Sequence, residues 1–267
     1  MPGCDLLTLR SQREIQQMRT AGLVVWRAHQ QAGSLIRPGV TTRQIDAEVE
    51  AVFLQQDARP LFQGVAGTTP FPTVSCISVN DEVVHGIPSD RILHEGDVVS
   101  VDIGCKLRGW CADAAVTHPV GRVSADVEHL LTITRGVLQL AIERMERCEW
   151  WSQVAKDMFD YVEDEELSVV TQFVGHGIGR ELHEDPQVPN FVIDEFLKDG
   201  DFRIRPGLVV AIEPMVNIGS VEVEVRGDHW TQVTVDGSYS AHFEHTVAMT
   251  QDGPRVLTGP PTAGEEG

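Results

Sequence analysis

The sequence predicts an α/β fold in a single domain made of two related halves. Segments with helical periodicity alternate with short runs rich in Val and Ile, no stretch of linker composition separates them, and one motif occurs twice. Of the 267 residues, 42% are apolar and 23% are charged, as in ordinary globular proteins. No apolar run approaches the ~18–20 residues that cross a bilayer, and the start lacks the pattern of a secretory signal. We therefore expect neither a membrane span nor such a signal.

Two helices are predicted near the start of the chain. Ser11 and Glu14 form a capping-box pattern, and apolar residues follow at helical spacing as far as residue 33. Arg37-Pro38-Gly39 ends this helix, and a second one begins near Thr41. Residues 64–72 are dense in Gly, Thr and Pro and predict a loop, whereas residues 74–79 and 98–103 predict strands.

The rest of the chain changes from helices to strands and then to a tail. Amphipathic helices are expected over residues 124–147 and 152–163, the second one capped by Ser152. The strands expected after Gly175 span residues 208–212, 221–225, 231–235 and 245–249. Residues 254–267, rich in Gly, Pro, Thr and Glu, predict a flexible tail, so the catalytic core of the single domain 1–267 is expected at about 9–253.

Charge and cysteine content exclude several classes of protein. Asp and Glu number 40 against 21 Lys and Arg, which gives a net charge of −19 with His neutral. A chain this acidic repels phosphate backbones and shows no basic patch, so we expect no nucleic-acid binding. The cysteines are odd in number and lack C-x-x-C spacing: Cys4, Cys76, Cys105, Cys111 and Cys148. They predict reduced thiols in a cytoplasmic protein rather than a disulfide framework or a zinc finger.

An internal repeat relates the two halves of the chain. The segment Gly-Asp-Val-Val-Ser-Val-Asp at 96–102 matches Gly-Leu-Val-Val-Ala-Ile-Glu at 207–213, at an offset of 111 residues. Each segment is a turn glycine, an apolar β-run and then one carboxylate. His85-Gly86-Ile87 similarly matches His176-Gly177-Ile178. Two matches in the same order suggest half-domains that face each other and bring the two carboxylate-tipped strands together.

Four carboxylates lie next to apolar or small residues: Asp102, Asp113, Glu213 and Glu244. A carboxylate beside a buried run must be paired, hydrogen-bonded or bound to a cation. Any one of them is equally well explained as an edge-strand residue that reaches solvent. For all four together that explanation is poor, because too few Lys and Arg residues lie nearby in the sequence to neutralise them.

Three histidines stand in equally marked settings. Glycines on both sides of His176 let the backbone approach a ligand closely, His183 follows seven residues later, and His85 precedes a Gly-Ile-Pro turn. A lone His is more often structural than a ligand. Four carboxylates with one imidazole nevertheless suit a pair of divalent ions such as Mn, Fe(II) or Co. Two-metal sites, with ions ~3.5–4 Å apart, are typical of hydrolytic enzymes, aminopeptidases among them.

At these positions the sequence resembles type I methionine aminopeptidase, a metallopeptidase of the pita-bread fold. The resemblance extends from about residue 9 to residue 253. It is strongest in five segments: 80–88, 101–113, 175–186, 211–215 and 241–246. It implies two pseudo-twofold-related α/β halves around a central antiparallel sheet, with helices outside. Only 31 residues separate Glu213 from Glu244, so the helical insert of the type II enzymes is missing.

The resemblance also implies a role for each site residue. Asp113 and Glu244 would bridge two divalent metal ions (Co, Mn, Fe(II) or similar), Asp102 would chelate one, and His176 with Glu213 would complete the other. Glu213 would also transfer a proton. His183 would stabilise the oxyanion, and His85 would hydrogen-bond the substrate near the scissile amide. The metal ligands expected in this way are Asp102, Asp113, His176, Glu213 and Glu244.

The expected substrates are N-terminal methionyl peptides and nascent chains whose second residue is small. Phe71, Cys76 and Trp230 fall at pocket positions of the family, whereas Leu182 replaces a frequent aromatic residue and the loop 64–70 lacks the usual tyrosine. The family also implies a cytoplasmic enzyme with possible transient ribosome contact, which the charge of −19 does not support, and we expect a monomer. Because the chain starts Met-Pro, its own mature form is expected to begin at Pro2.

Two other functions fit parts of the same pattern. One is an aminopeptidase of the same fold with a different side-chain or Xaa-Pro specificity, although relatives that cleave before proline usually carry a large extra N-terminal domain. The other is a pita-bread protein that serves as a binding module without catalysis. Such proteins lose metal ligands, and all five are present here. A peptide panel separates the first alternative, and metal analysis with an activity assay separates the second.

Overall fold

The computed structural model describes residues 7–265. The expectations for Met1, Pro2 and Cys4 lie outside the described residues. Four α-helices and one π-helical turn occur in the described part: α1 (Gln12–Leu35), α2 (Thr42–Gln55), α3 (Ala125–Met145), α4 (Trp151–Glu163) and the turn Phe196–Gly200. None of these helices is long and apolar enough to span a membrane.

The helix starts follow the capping pattern of the sequence, with one exception. Ser11 caps α1 and Thr41 caps α2, each in a capping box in which the side chain of the third helical residue accepts from the cap N–H. Ser124 caps α3. The prediction that Ser152 caps α4 is wrong, because the cap is Trp150 and Ser152 lies inside the first turn. The Ser152 hydroxyl instead donates to Asp201 Oδ2 at 2.6 Å.

Fifteen short strands complete the described part of the chain. They are β1 (Arg59–Pro60), β2 (Cys76–Val79), β3 (Glu82–Val84), β4 (Val98–Leu107), β5 (Trp110–Pro119), β6 (Ser168–Val169), β7 (Gly175–Gly177), β8 (Glu184–Val188), β9 (Val209–Ile212), β10 (Met215–Asn217), β11 (Val223–Val225), β12 (Gln232–Thr234), β13 (Ser240–His242), β14 (His245–Thr250) and β15 (Gly253–Val256). All the strands that the sequence predicted are present. The long strand β5 was not predicted, because the Ala and Asp residues at its centre are depleted in strands.

Two antiparallel sheets form the centre of the molecule. One has the order β1-β4-β2, with β5 also paired to β4 along its whole length, and the other has the order β15-β14-β9-β7-β8. Backbone hydrogen bonds between Ala115 and Glu244, in both directions, join the two sheets (N···O 3.3 and 2.9 Å). The Thr246 hydroxyl accepts from the Asp113 N–H and donates to the Asp113 carbonyl. The two halves therefore meet at Asp113 and Glu244.

Each half has its own apolar core against its helices. Buried residues of α1 and α2 pack against β2, β4 and β5 in one cluster. Buried residues of α3 and α4 pack against β9, β13 and β14 in another. The helices thus lie outside the central sheets, as the resemblance predicted. Side chains alternate along a strand, so Asp102 lies on the face of β4 opposite to Val101 and Ile103, which pack against the helices.

The C-terminal segment is more ordered than its composition predicts. The expectation of a flexible tail from residue 254 is wrong for the first part of that segment, because β15 pairs with β14 and Leu257 is fully buried. The buried guanidinium of Arg19 in α1 donates to the carbonyls of Leu257 and Gly259 and pairs with Glu265. A buried cation needs such partners, and the C-terminal chain supplies them.

Candidate metal centre

Two of the candidate metal ligands come from the β4–β5 hairpin. Asp102 lies opposite Ala115 and Asp113 lies opposite Gly104 in this antiparallel ladder. The two carboxylates are therefore diagonal neighbours on one face of the hairpin. Gly104 leaves the space that Asp113 uses, since a Cβ on Gly104 would lie 3.0 Å from Asp113 Oδ1.

The other three candidates come from the second sheet. His176 on β7 lies opposite Ala211 on β9, Glu213 directly follows β9, and Glu244 directly precedes β14. The strands β9 and β14 are paired, with His245 opposite Ile212. Glu213 and Glu244 therefore lie at the same end of this strand pair, which is an edge of the second sheet's ladder. The backbone pairing of Glu244 with β5 then brings this edge against Asp113.

The structure brings all five predicted ligands together around one pocket. Ligand atoms of Asp113, His176 and Glu244 lie within 4.8 Å of one another. The His176 Nε2 atom is 3.5 Å from Glu213 Oε1, and Asp102 lines the same pocket. The imidazole of His176 directs Nδ1 to the Gly177 carbonyl at 2.9 Å, which leaves Nε2 available to the centre of the site.

The electrostatics of the site are those expected for a cation site. Within residues 7–265, no Lys or Arg forms an ion pair with any of the four carboxylates. Burial and the neighbouring acids raise the pKa values of Asp102, Glu213 and Glu244 well above their usual range. Burial raises the pKa of Asp113 from 3.8 to about 7. Four carboxylates that repel one another at neutral pH are stabilised by divalent cations.

Unpaired oxygen atoms show that the residues fit divalent ions. Asp102 Oδ1, Asp113 Oδ1 and Glu244 Oε1 are buried and have no hydrogen-bond partner. Buried polar atoms are almost always satisfied, so each of these atoms requires an explanation. Oxygen-rich sets with one neutral imidazole bind Mn, Fe(II), Co and related ions. Burial lowers the pKa of His176 to about 4, which keeps its imidazole neutral and able to act as a ligand.

One further residue at this site was missed at the level of sequence. His242 is buried, its Nε2 atom has no hydrogen-bond partner, and it lies 3.8 Å from Glu213 Oε2. Ligand atoms of Glu213, His242 and Glu244 lie within 4.8 Å of one another. Burial lowers the pKa of His242 to about 3. Its position two residues before Glu244, on the same side of an extended chain, is the signal that would have identified it.

Two histidines predicted to contact substrate line the same pocket. His85 is half-buried, has the left-handed backbone angle φ 59°, and packs edge-on against Phe173. Burial and the nearby His183 lower its pKa to about 4. His183 is exposed at the mouth of the pocket, and its ring meets the ring of His176 edge-on with 4.4 Å between centroids. Partial desolvation of the His183 ring, where it faces the pocket, lowers the pKa of His183 as well.

The pocket beside the metal ligands is small and mostly apolar. It has a volume of about 170 Å³. Its apolar lining consists of Phe62, Val65, Phe71, Cys76, Leu182 and Trp230. This set includes the three predicted pocket residues, the Leu182 that departs from the family pattern, and two residues that the sequence did not single out.

The three predicted pocket residues differ in how they are held. The rings of Phe71 and Trp230 meet edge-on, 5.2 Å between centroids. Trp230 Nε1 donates to the Thr69 carbonyl at 2.9 Å, which ties the pocket wall to the loop 64–72. Cys76 lies opposite Asp102 in the ladder, and burial with that neighbouring charge raises the pKa of its thiol well above the usual range. The thiol is therefore a neutral, apolar part of the wall.

Comparison with known proteins places this chain in one family. Residues 16–251 match the model of metallopeptidase family M24. The chain is 43% identical over 253 residues to methionine aminopeptidase 1 of Bacillus subtilis, covering 95% of this chain and 99% of that protein. It is 40% identical to methionine aminopeptidase 1 of Mycobacterium tuberculosis, with 96% of each chain covered.

Solved structures agree with the sequence relatives. The methionine aminopeptidase of Thermotoga maritima superposes with a TM-score of 0.90 at 39% identity, covering 96% of this chain and all of that one. The prolidase of Pyrococcus furiosus shares the fold alone, with a TM-score of 0.74 at 19% identity over 67% of its own length. The chain therefore has the pita-bread fold and belongs to metallopeptidase family M24, in which it groups with the bacterial type I methionine aminopeptidases.

Proposed function

We propose that this protein hydrolyses the peptide bond after an N-terminal methionine when the second residue is small, with two divalent ions per chain. The observation that carries the proposal is the convergence of five ligand residues, three of them with buried oxygens lacking partners, at one apolar pocket. The names of its relatives support the same activity.

The metal ligands in this proposal are Asp102, Asp113, His176, Glu213 and Glu244. Asp113 and Glu244 lie where the two halves meet and are assigned as the bridging carboxylates. When bound, the two ions supply a water nucleophile active at neutral pH and polarise the scissile carbonyl. The free α-amine of the substrate would bind at the same centre, which would restrict cleavage to chain termini. Mn, Fe(II) and Co all suit this oxygen-rich set.

In this proposal, side chains of the protein transfer protons and donate hydrogen bonds to the substrate. Glu213 accepts the proton of the attacking water and delivers it to the leaving amine. Glu213 lines the pocket, so its carboxylate lies beside the place where the substrate would bind. The neutral His183 imidazole donates a hydrogen bond to the developing oxyanion, and His85 bonds the substrate near the scissile amide. The lowered pKa values of both histidines keep them neutral at pH 7.

The lining of the pocket fits the side chain of an N-terminal methionine. Phe71, Cys76 and Trp230 give a narrow apolar wall with a polarisable thiol, which suits an unbranched thioether. One methylene in such a slot changes binding by only ~1–3 kcal/mol. Discrimination of methionine from norleucine should therefore be weak, and discrimination from charged side chains strong.

Peptide hydrolysis after chelation and add-back of Mn, Fe(II) or Co tests the proposal. Cleavage is expected for Met-Ala, Met-Gly, Met-Ser and Met-Pro termini, and not for Met-Lys or Met-Phe. The exposed Glu222→Gln variant serves as a matched control for loss of one charge. Preference for Xaa-Pro bonds, or equal cleavage after Leu and Met, would contradict the proposed methionine specificity and support the alternative specificity. No hydrolysis with fewer than one bound ion per chain would favour a binding module.

A further inference from the structure

We propose that an ion pair between Arg10 and Glu184 positions His183 for the reaction, which makes both residues positioning residues. This inference rests on the proposed role of His183. Its structural part, the control of the His183 ring by the ion pair, can be measured without any peptidase activity.

His183 needs such support because of where it lies. It is exposed, and it stands between the turn that follows β7 and the first residue of β8. A side chain on an exposed turn is mobile unless the turn itself is held. A donor to an oxyanion must be placed to a fraction of an ångström, and a misplacement of about 1 Å can cost ~10²-fold in rate.

Glu184 closes the turn that carries His183. Its Oε1 atom accepts hydrogen bonds from the backbone N–H groups of Arg180 at 2.7 Å and Glu181 at 3.1 Å. The N–H of Gly179 donates to the Glu181 carbonyl at 3.1 Å. One carboxylate oxygen thus gathers two consecutive amides of the turn, directly next to His183 in the chain.

Arg10 holds the other oxygen of the same carboxylate. Its Nη2 atom bonds to Glu184 Oε2. The Arg10 side chain is only 9% exposed and that of Glu184 20%, so the pair is much better shielded than an ordinary surface salt bridge. The Arg10 guanidinium also lies 5.4 Å from the centre of the Trp110 ring.

The arginine is itself anchored to the framework of the site. The Arg10 backbone N–H donates to the Gly207 carbonyl at 2.7 Å, in the turn just before β9, the strand that Glu213 directly follows. Gly179 makes room for the guanidinium, because a Cβ there would lie 2.2 Å from Arg10 Nη2. The ion pair therefore joins the strand that carries Glu213 to the turn that carries His183.

The kinetic test uses Arg10→Met and Glu184→Gln. Each should lower kcat by ~10-fold or more with little change in metal content, whereas the exposed controls Arg13→Met and Glu222→Gln should stay within ~2-fold. Arg10→Lys should recover part of the loss. In a His183→Ala background, Glu184→Gln should have no further effect on kcat, because the residue through which it acts is absent. Equal losses in both backgrounds would overturn the proposal.

A spectroscopic test is independent of activity and of the loss of a charge. The ring signal of His183 in metal-free protein with labelled histidine, identified by its disappearance in His183→Ala, should shift or broaden in Arg10→Met. Gly179→Ala keeps both charges but displaces the guanidinium, and it should have the same effect. An unchanged signal in both variants would refute the positioning role. A changed signal in a protein without peptidase activity would support the positioning and refute the proposed function instead.

Discussion

Removal of the metal ions should make the stability of this protein fall as the pH rises. Burial raises the pKa of Asp113 from 3.8 to about 7. A group whose folded-state pKa is raised favours folding only while it is protonated. Its contribution is complete below the unfolded pKa and is lost as the pH rises through the folded pKa. Between about pH 5 and pH 8, Asp113 alone should cost the metal-free protein about 3 kcal/mol of unfolding free energy.

The variant Asp113→Asn isolates this effect. An amide at residue 113 does not ionise. The loss of its charge also lowers the repulsion on Asp102, Glu213 and Glu244, whose pKa values are raised by burial and by their acidic neighbours. At about pH 8 the metal-free variant should melt ~6–12 °C above the metal-free wild type, and the difference should shrink toward pH 5. The same variant should lose metal binding and activity, because an amide cannot supply two anionic oxygens to two cations.

Thermal unfolding after chelation, followed by circular dichroism from about pH 5 to pH 8, measures the effect. Glu222→Gln, which removes an exposed carboxylate, should leave the pH dependence unchanged. Addition of Mn to the wild type should raise Tm most at high pH. A metal-free wild type with a flat Tm profile, or an Asp113→Asn variant that melts below it at pH 8, would refute the reasoning.

Three further substitutions test the site and its pocket. Glu244→Gln should leave less than a tenth of the activity. A variant that retains more would contradict the assignment of Glu244 as a bridging metal ligand. His183→Ala should keep the metal content, measured by elemental analysis, and lower kcat by ~10²-fold; loss of metal would make it a ligand instead. Gly67→Ala would place a Cβ 2.5 Å from Trp230 Cζ2, so the wall must move and the ratio of kcat/KM for Met over norleucine peptides should change. An unchanged ratio would show that this loop does not determine the side-chain specificity of the pocket.

Patterns that depend on neighbours in the chain were predictable from the sequence. The capping box at Ser11 marked the start of the first helix, because its partner Glu14 lies only three residues away. The repeated run that ends in Asp102 and Glu213 indicated two facing halves, and both residues line one pocket in the structure. The sequence also singled out Asp113, Glu244 and three histidines by their surroundings, and the resemblance gave each of them a role.

Features that depend on distant partners were not predictable in this way. The composition of residues 254–267 predicts a flexible tail, yet strand pairing with β14 and the buried Arg19 hold its first part in place. Ser152 reads as a helix cap, but Asp201 binds its hydroxyl and the helix starts one residue earlier. The contacts of Arg19 with the C-terminal segment and of Ser152 with Asp201 join residues more than forty positions apart in the chain.

By itself the sequence determined the four α-helices, six of the fifteen strands in the described part of the chain, and the chemical character of the site. Periodicity, capping and ligand type are local properties of the chain. The tertiary structure decided which atoms meet. Three contacts between separate segments are examples. His242 lies beside Glu213, Trp230 donates to the loop 64–72, and Arg10 pairs with Glu184. Burial is decided at the same level. The raised pKa of Asp113 results from the two sheets closing over it, and no local pattern in the chain reports that closure.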